Sequence, residues 1–483
     1  MPNIVVDGLV LVTGANGFIA SRLIPRLLAG SYRVRVMARK PERLAGRLWR
    51  TQVDARRGST TDMDSLSAAM AGVHTAYYLI HSMRSGRGYT EIERESARRF
   101  AGAAEAAGMH HIIYLGGLAN PGDPQLALHM RSRIETGEIL RQGRVPVTEF
   151  RAGVIAGAGS ISFEMIRFLT ECFPILPGPR WLRNKAQPIA SENVIDYLMA
   201  GLERAEARGA VYEMGGPEQM PYGEAMLRYA RRRGLRRRLF TLPGIPIWWM
   251  AMIIDRLTPV PYPIATALVD GLQSDSSVMD NSALRMFPDI KLIRYEEAIG
   301  AALNELAPSR LERVWEGLDR DAANIRHEGF IVDYRRRAVD APALAVFEQL
   351  IRMGGRHRWP YADWLWRLRG FLDRLISPQG TQRGAKESTN TVSAVGDFVD
   401  YYRVEVLEPG RLLRLHSTLR APGEGWLEWR VEAQTAGNAS LTQTAFFAPR
   451  GLAGFLYWFA LGPLHQLVFR GLIGALKRRS ESA

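Results

Sequence analysis

The sequence predicts an α/β fold over residues 1–306, a doubly wound parallel sheet with a small substrate-covering subdomain at about 157–306. Behind it, over 328–483, it predicts an α+β domain whose antiparallel sheet grips a helix. Three observations carry this. Near-continuous apolar runs at 9–12, 33–37, 75–80, 111–115 and 147–155 alternate with stretches of helical periodicity, as in a parallel sheet covered on both faces. The first run meets a glycine turn that opens a helix. After 398, four strand-like segments are separated by Pro409-Gly410, Pro422-Gly423 and Gly437-Asn438. A chain of 483 residues is long enough for two or three cores.

The glycine turn organises the rest. Thr13 ends the first run, Gly14-Ala15-Asn16-Gly17 follows, and Ile19, Leu23 and Leu27 recur at helical spacing. The first amides of such a helix have no internal partner and carry a partial positive charge, so they suit an anion. Gly14 can take a positive φ, Gly17 leaves room for a pyrophosphate, and Ala20 stands where the Rossmann fingerprint allows Gly or Ala. The second strand ends in Ala38-Arg39-Lys40, where an NAD-selective site usually carries a carboxylate. Two cations there suit a 2′-phosphate, hence NADP, with NAD as the alternative.

A short helix is expected at 41–49, a strand at 52–58, a helix at 62–71 and a long helix at 89–107. Ligands on such sheets lie beyond the carboxyl ends of the strands, so Gly14, Arg39, His81, Gly117 and Gly157 are expected to line one crevice. Cofactor contacts are assigned to Gly14, Ala15, Asn16, Gly17, Phe18, Ile19, Arg39, Lys40, Ser59, Leu79, His81 and Gly117. In the subdomain, 162–169, 193–202 and 222–231 look helical, while 187–189 and 211–213 look like short strands. The apolar stretch 242–254 is too short to span a bilayer and reads as a core or lid helix.

Composition narrows the class. Apolar content of 47% with 23% charged residues is that of a globular protein. Cys172 is the single cysteine, which excludes an internal disulfide, offers no metal-site spacing and fits a reducing, cytoplasmic compartment. The N-terminus has no secretion signal pattern. Net charge is +14, but the excess comes from arginines spread along the whole chain beside only five lysines. The one dense cluster, Arg231 to Arg238, reads as a solvated helix end, with a phosphate or headgroup site as the alternative. No aromatic-interleaved basic pattern is present, so nucleic acid is not an expected partner. Nothing in the sequence fixes an oligomeric state.

A charged linker is placed at 307–327. Beyond it come a strand at 329–338, a helix to Met353 capped by Asp340, and a helix at 361–376. Strands at 398–407, 412–419, 426–432 and 441–447 lead to one long apolar helix at 451–476. Leu427, Trp429 and Val431 fall on one face and Glu428, Arg430 and Glu432 on the other. This order describes a curved sheet around a helix, commonly with an apolar cavity, so a small apolar molecule or lipid is an expected ligand. The last helix reads as a core helix; Tyr457, Trp458 and the basic Lys477-Arg478-Arg479 keep peripheral contact with the inner membrane as an alternative.

On Thr13-Gly14-Ala15-Asn16-Gly17-Phe18-Ile19-Ala20, Tyr77-Tyr78-Leu79-Ile80-His81-Ser82-Met83, Ile113-Tyr114-Leu115-Gly116-Gly117-Leu118 and Gly159 to Met165, the chain resembles the short-chain dehydrogenase/reductase superfamily. The likeness is to its atypical, extended, NmrA-like NAD(P)H-binding branch. Trp364 to Leu372, Gly396-Asp397-Phe398, Gln443-Thr444-Ala445-Phe446 and Tyr457-Trp458-Phe459 resemble an uncharacterised domain often fused behind this unit in bacterial proteins. That resemblance implies a START-like helix-grip fold. Together they imply an NADP-dependent oxidoreductase or isomerase with an apolar substrate. The same resemblance also allows an NADP(H)-sensing regulator, or a lipid- or quinone-handling accessory of a membrane complex.

One departure stands out. The family's chemistry uses a Tyr-x-x-x-Lys pair, in which the ammonium tunes the phenol for proton exchange with the substrate oxygen. Here none of the five lysines has a tyrosine four residues before it. The aligned helix reads His129-Met130-Arg131-Ser132-Arg133, and the assisting serine is replaced by Gly116 or Gly117. His129 is therefore the candidate proton donor, Arg133 its partner, and His81 a second candidate. Arginine stays protonated and cannot relay a proton.

Overall fold

The computed structural model describes residues 8–482, apart from 45–46, 83–87, 259, 306–321, 328–329, 355–357, 377–390 and 435–436. The chain divides into two compact units, Met1–Leu318 and Asp319–Ala483.

The first unit starts β1 (Leu9–Thr13), α1 (Phe18–Ala29), β2 (Arg33–Ala38), β3 (Asp54–Arg57), α2 (Met63–Met70), β4 (Val73–Tyr78), α3 (Tyr89–Ala106). It continues β5 (His111–Gly117), α4 (Leu128–Gln142), β6 (Val147–Ala152), β7 (Ile155–Ala156), α5 (Ile161–Cys172), β8 (Ile175–Pro179), β9 (Lys185–Ala186), β10 (Ile189–Ala190), α6 (Ser191–Glu203) and β11 (Val211–Met214). Seven parallel strands form the sheet in the order β11-β6-β5-β4-β1-β2-β3. Alternation along each strand feeds two cores. Val10 and Val12 pack with Leu23, Ile24 and Leu27 of α1 and Leu198 of α6. Leu11 faces the other way, towards Leu66, Phe100 and Leu140 of α2, α3 and α4. Strand order reverses beside β1, which opens a crevice beyond the carboxyl ends of β1 and β4.

The subdomain adds β12 (Met220–Pro221), α7 (Tyr222–Arg232), β13 (Arg238–Leu242), α8 (Ile247–Leu257), α9 (Tyr262–Gly271), α10 (Ser282–Met286) and α11 (Tyr295–Asn304). The two-stranded pairs β7 with β10, β8 with β13 and β9 with β12 tie it together. Its separate core joins Phe163, Ile166, Tyr229, Ile254 and Ile264.

The second unit runs β14 (Ala322–His327), β15 (Phe330–Val339), α12 (Ala343–Ile351), α13 (Asp363–Ile376), β16 (Phe398–Val399), β17 (Tyr402–Glu408), β18 (Leu412–Ser417), β19 (Gly423–Ala433) and β20 (Ala439–Pro449). Two helices end it, α14 (Gly451–Ala460) and α15 (Gly462–Glu481). All seven strands pair antiparallel, in the order β14-β15-β20-β19-β18-β17-β16. Helices α12, α14 and α15 pack against β20. Gln443 links sheet and helix: it accepts from Trp429 Nε1 (3.0 Å) and donates to the Phe469 carbonyl (3.0 Å).

Several local expectations are corrected. Among the described residues of 41–49 there is only a 3-10 turn, at Pro41–Leu44. The strand expected to reach 155 ends at Ala152, and Ile155–Ala156 turns to pair with β10. Of the expected linker, 307–321 lies outside the described residues, while Ala322–His327 is a strand. Asp340 does not cap α12, whose N-cap is Pro342; its amide instead meets Glu481 Oε1 (3.0 Å). Asp400, at φ +53, interrupts the strand expected at 398–407. The single terminal helix is two, because Gly462 and Pro463 restart the chain after Leu461 at an angle of 59°. Among the described residues no single helix is long and apolar enough to cross a membrane, and only this bent pair passes by length and composition. The arginine cluster is not simply solvated: Arg231 binds Glu224, Arg233 binds Glu171 (2.8 Å), and Arg237 donates to the Thr170 carbonyl (2.6 Å).

Candidate cofactor and active site

The crevice is built around the end of β1. Thr13 donates its hydroxyl to the Tyr77 carbonyl (2.8 Å) and accepts from the Leu79 amide (3.1 Å), which locks the exit of β4 against the exit of β1. Gly14 then turns at φ +65, where a Cβ would lie 2.9 Å from the Leu79 carbonyl oxygen. Gly17 donates to Gly14 O (2.7 Å) and is the N-cap of α1, with no side chain on the free amides. Those amides and the glycine clearances fit the diphosphate of a dinucleotide.

Gly14, Gly17, Phe18, Ile19, Leu79, His81, Gly117, His129 and Arg133 all line this crevice, which encloses about 1410 Å³ of empty space including open solvent. Ala15 is buried beneath the turn and Asn16 is exposed above it. Arg39 and Lys40 stand exposed at the end of β2, outside the crevice wall. Arg57, which carries no sequence signal of its own, is exposed opposite Ala38 in the β2–β3 register, at the same strand ends as Arg39 and Lys40. Ser59 shares its hydroxyl with Thr61 (2.8 Å) and is not part of the wall. Gly157 is also not part of it: it packs against Ser191 and the Phe18 ring.

The opposite wall is α4. His129 and Arg133 are four residues apart, so the helix presents both to the same crevice. Burial, reinforced by the Arg133 charge, pulls the His129 imidazole down to about 4, so it is neutral at pH 7. Its Nδ1 is buried without a hydrogen-bond partner among the described residues. The ring fits because Gly271 faces it; a Cβ there would come within 2.6 Å of His129 Cε1. Gly117 is closely packed by the same helix: a Cβ would meet Met130 Cε at 2.9 Å and Arg133 Cδ at 3.0 Å.

Two features had no sequence signal. Buried Glu93 of α3 accepts from the Ser82 amide (2.7 Å) and the Ser132 hydroxyl (2.5 Å), tying the loop that carries His81 to the helix that carries His129. The crevice also continues into an apolar pocket of about 950 Å³ of empty space, walled by Met165, Trp181, Trp249 and Ile253 among others. Val154, Ser162, Tyr222, Leu268 and Leu272 line both. Burial raises the Tyr222 phenol well above its ordinary range, so it stays protonated.

Residues 14–141 match the family described as NAD(P)H-binding. The N-terminal unit carries an NAD(P)H-binding domain. Residues 329–472 match a family described as a protein of unknown function (DUF2867). Over 232 residues, 47% of this chain and 74% of the relative, the chain is 27% identical to a (4-alkanoyl-5-oxo-2,5-dihydrofuran-3-yl)methyl phosphate reductase of Streptomyces griseus. Its fold is similar to triphenylmethane reductase from Citrobacter sp., with TM-score 0.50, 18% identity, and coverage of 61% of this chain and 99% of that one. An NADPH-dependent quinone oxidoreductase from Escherichia coli is equally similar, with TM-score 0.50, 18% identity, and coverage of 61% and 100%. The NAD(P)H-binding unit thus shares its fold with these two reductases.

Proposed function

We propose that the protein is an NADPH-dependent reductase of an apolar carbonyl-conjugated compound. The observation that carries this is the continuity of the α1 N-terminus, the His129–Arg133 face and the apolar pocket. The hydride would come from NADPH when it is bound. The α1 amides hold the diphosphate, and Arg39, Lys40 and Arg57 favour the 2′-phosphate over a bare ribose. The apolar pocket orients the substrate body and excludes water. His129, kept neutral by burial and by Arg133, donates a hydrogen bond to the substrate oxygen, while the Arg133 charge steadies negative charge developing there. His81, at the exposed lip, is the second candidate donor.

The reductase reading also draws on the Streptomyces relative, whose name specifies an alkanoyl-substituted unsaturated ring as substrate. For the C-terminal unit we propose the START-like helix-grip arrangement, on the strength of α15 lying against a seven-stranded antiparallel sheet.

The test is NADPH oxidation against a panel of alkyl-substituted enones and quinones. At least one should turn over, and His129→Ala should lower kcat by roughly 100-fold or more, the cost of losing one hydrogen-bond donor to a developing oxyanion, at unchanged NADPH affinity. No turnover across the panel, or His129→Ala at the wild-type rate, refutes the catalytic assignment. One observation favours a second reading: α4 carries no Tyr-x-x-x-Lys pair, and Arg133 cannot relay a proton. A non-catalytic NADP(H) sensor would bind NADPH and NADP with different affinities and oxidise nothing.

A further inference from the structure

The second unit holds a cavity that the reductase chemistry does not use. It encloses about 1190 Å³ of empty space, part of it open solvent. Gly425 and Leu427 of β19 with Ala445 of β20 line it from the sheet, and Trp458, His465 and Phe469 of α14 and α15 from the helices. The aromatic wall is ordered by ring contacts: Trp458 stacks on Phe447 (ring centroids 5.1 Å), His465 stacks on Phe469 (5.5 Å), and His465 meets Trp458 tilted by 45° (4.6 Å).

One region of this apolar wall is cationic. Arg369 of α13 lines the cavity with its guanidinium over the Tyr457 ring (5.6 Å), and its Nε is buried without a partner. His465 Nδ1 is likewise buried without a partner. Burial and the Arg369 charge pull the His465 ring down to about 4, so it is neutral and can donate one hydrogen bond. No carboxylate lines the cavity among the described residues. A guanidinium held in an aromatic cavity with an unused buried donor is costly unless an anion meets it. A free inorganic anion would leave the remaining apolar volume unfilled. The occupant that satisfies both is amphipathic.

We propose that the second unit binds an organic acid with an extended apolar body, its carboxylate on Arg369 and His465 and its body between the sheet and the α14–α15 aromatics. Leu368 and Leu464 line the cavity and are themselves exposed, giving the apolar body an entrance.

Calorimetric titration of the full-length chain with sodium dodecanoate, 1-dodecanol and inorganic phosphate tests this. Dodecanoate should bind at one saturable site at least tenfold tighter than dodecanol, and phosphate alone should bind far more weakly. Arg369→Gln should bring acid and alcohol to the same affinity. Gly425→Leu should abolish the site by filling it; a Cβ at Gly425 has no neighbour closer than 3.9 Å, so the backbone tolerates the change. Because Gly425 belongs to the second unit, that loss also separates this site from the apolar pocket beside the cofactor crevice. Equal affinity for acid and alcohol in the wild-type chain overturns the proposal even where Arg369→Gln does not fold. So does uptake that never saturates, as for partition onto exposed Leu456, Phe459 and Leu467, or unchanged binding in Gly425→Leu.

Discussion

Two glycines three residues apart should fail in different ways, and the difference tests how the cofactor loop works. Gly14 is needed for folding. An alanine there adopts a left-handed conformation costing roughly 1–2 kcal/mol, and its Cβ approaches the Leu79 carbonyl oxygen to 2.9 Å. That carbonyl cannot retreat freely, because the Leu79 amide is held by Thr13, which in turn holds Tyr77. Overpacking of this kind adds about 1–3 kcal/mol. Gly14→Ala should therefore destabilise the NAD(P)H-binding unit by roughly 2–5 kcal/mol. Gly17 sits at φ −81, open to any residue, and a Cβ would meet only Gly14 O at 3.0 Å. Gly17→Val should leave stability within about 1 kcal/mol of wild type. Its side chain instead occupies the space over the α1 amides. Losing two charge-assisted hydrogen bonds at roughly 1.5 kcal/mol each weakens NADPH binding about 100-fold. Urea unfolding by circular dichroism reads the first effect and a nucleotide fluorescence titration the second. Wild-type stability in Gly14→Ala, or wild-type affinity in a folded Gly17→Val, refutes the reasoning.

Other perturbations follow from the same geometry. Arg39→Ala with Arg57→Ala should weaken NADPH about tenfold or more while leaving NADH unchanged, and raised salt should mimic the effect on the exposed pair; parallel titrations of both nucleotides check it. His129, drawn down to about 4, and His111, drawn down to about 3 by burial first, must stay neutral in the folded unit. Their folded values lie below the unfolded value of about 6.5, so their contribution is complete above pH 6.5 and is lost as pH falls towards 4 and 3. The loss is on the order of 3 kcal/mol for each, seen as a falling urea midpoint between pH 7 and 4, and His111→Gln should flatten that slope. Gly117→Ser, at one of the two glycines where the resembling family carries its serine, should lower the melting temperature through about 1 kcal/mol of overpacking against Met130 and raise no activity. Adding Met130→Ala should recover the lost stability.

The parallel sheet was legible because each buried strand is a local apolar run, and the cofactor loop because a glycine turn, a helix start and a strand end are all short-range signals. The α4 pair was legible for the same reason, since four-residue spacing puts His129 and Arg133 on one face wherever the helix lies. What stayed hidden depends on distant packing. The apolar pocket joins α5, β8, α8 and α9, and no local pattern says that Met165 and Trp249 will share a wall. The break before α15 was hidden too, because an apolar stretch keeps its hydrophobic character on either side of a kink. The most informative hidden feature concerns the missing Tyr-x-x-x-Lys pair. From sequence alone, His129, Arg133 and Gly117 look like three separate losses. In space they interlock: Gly117 is small because Met130 and Arg133 fill its place, and Gly271, more than a hundred residues away, is small because the His129 ring lies against it. A site that had merely lost its catalytic pair would not need a distant glycine to seat the replacement. The replaced residues form a fitted set, which is the physical reason for reading the α4 face as a working surface of the crevice.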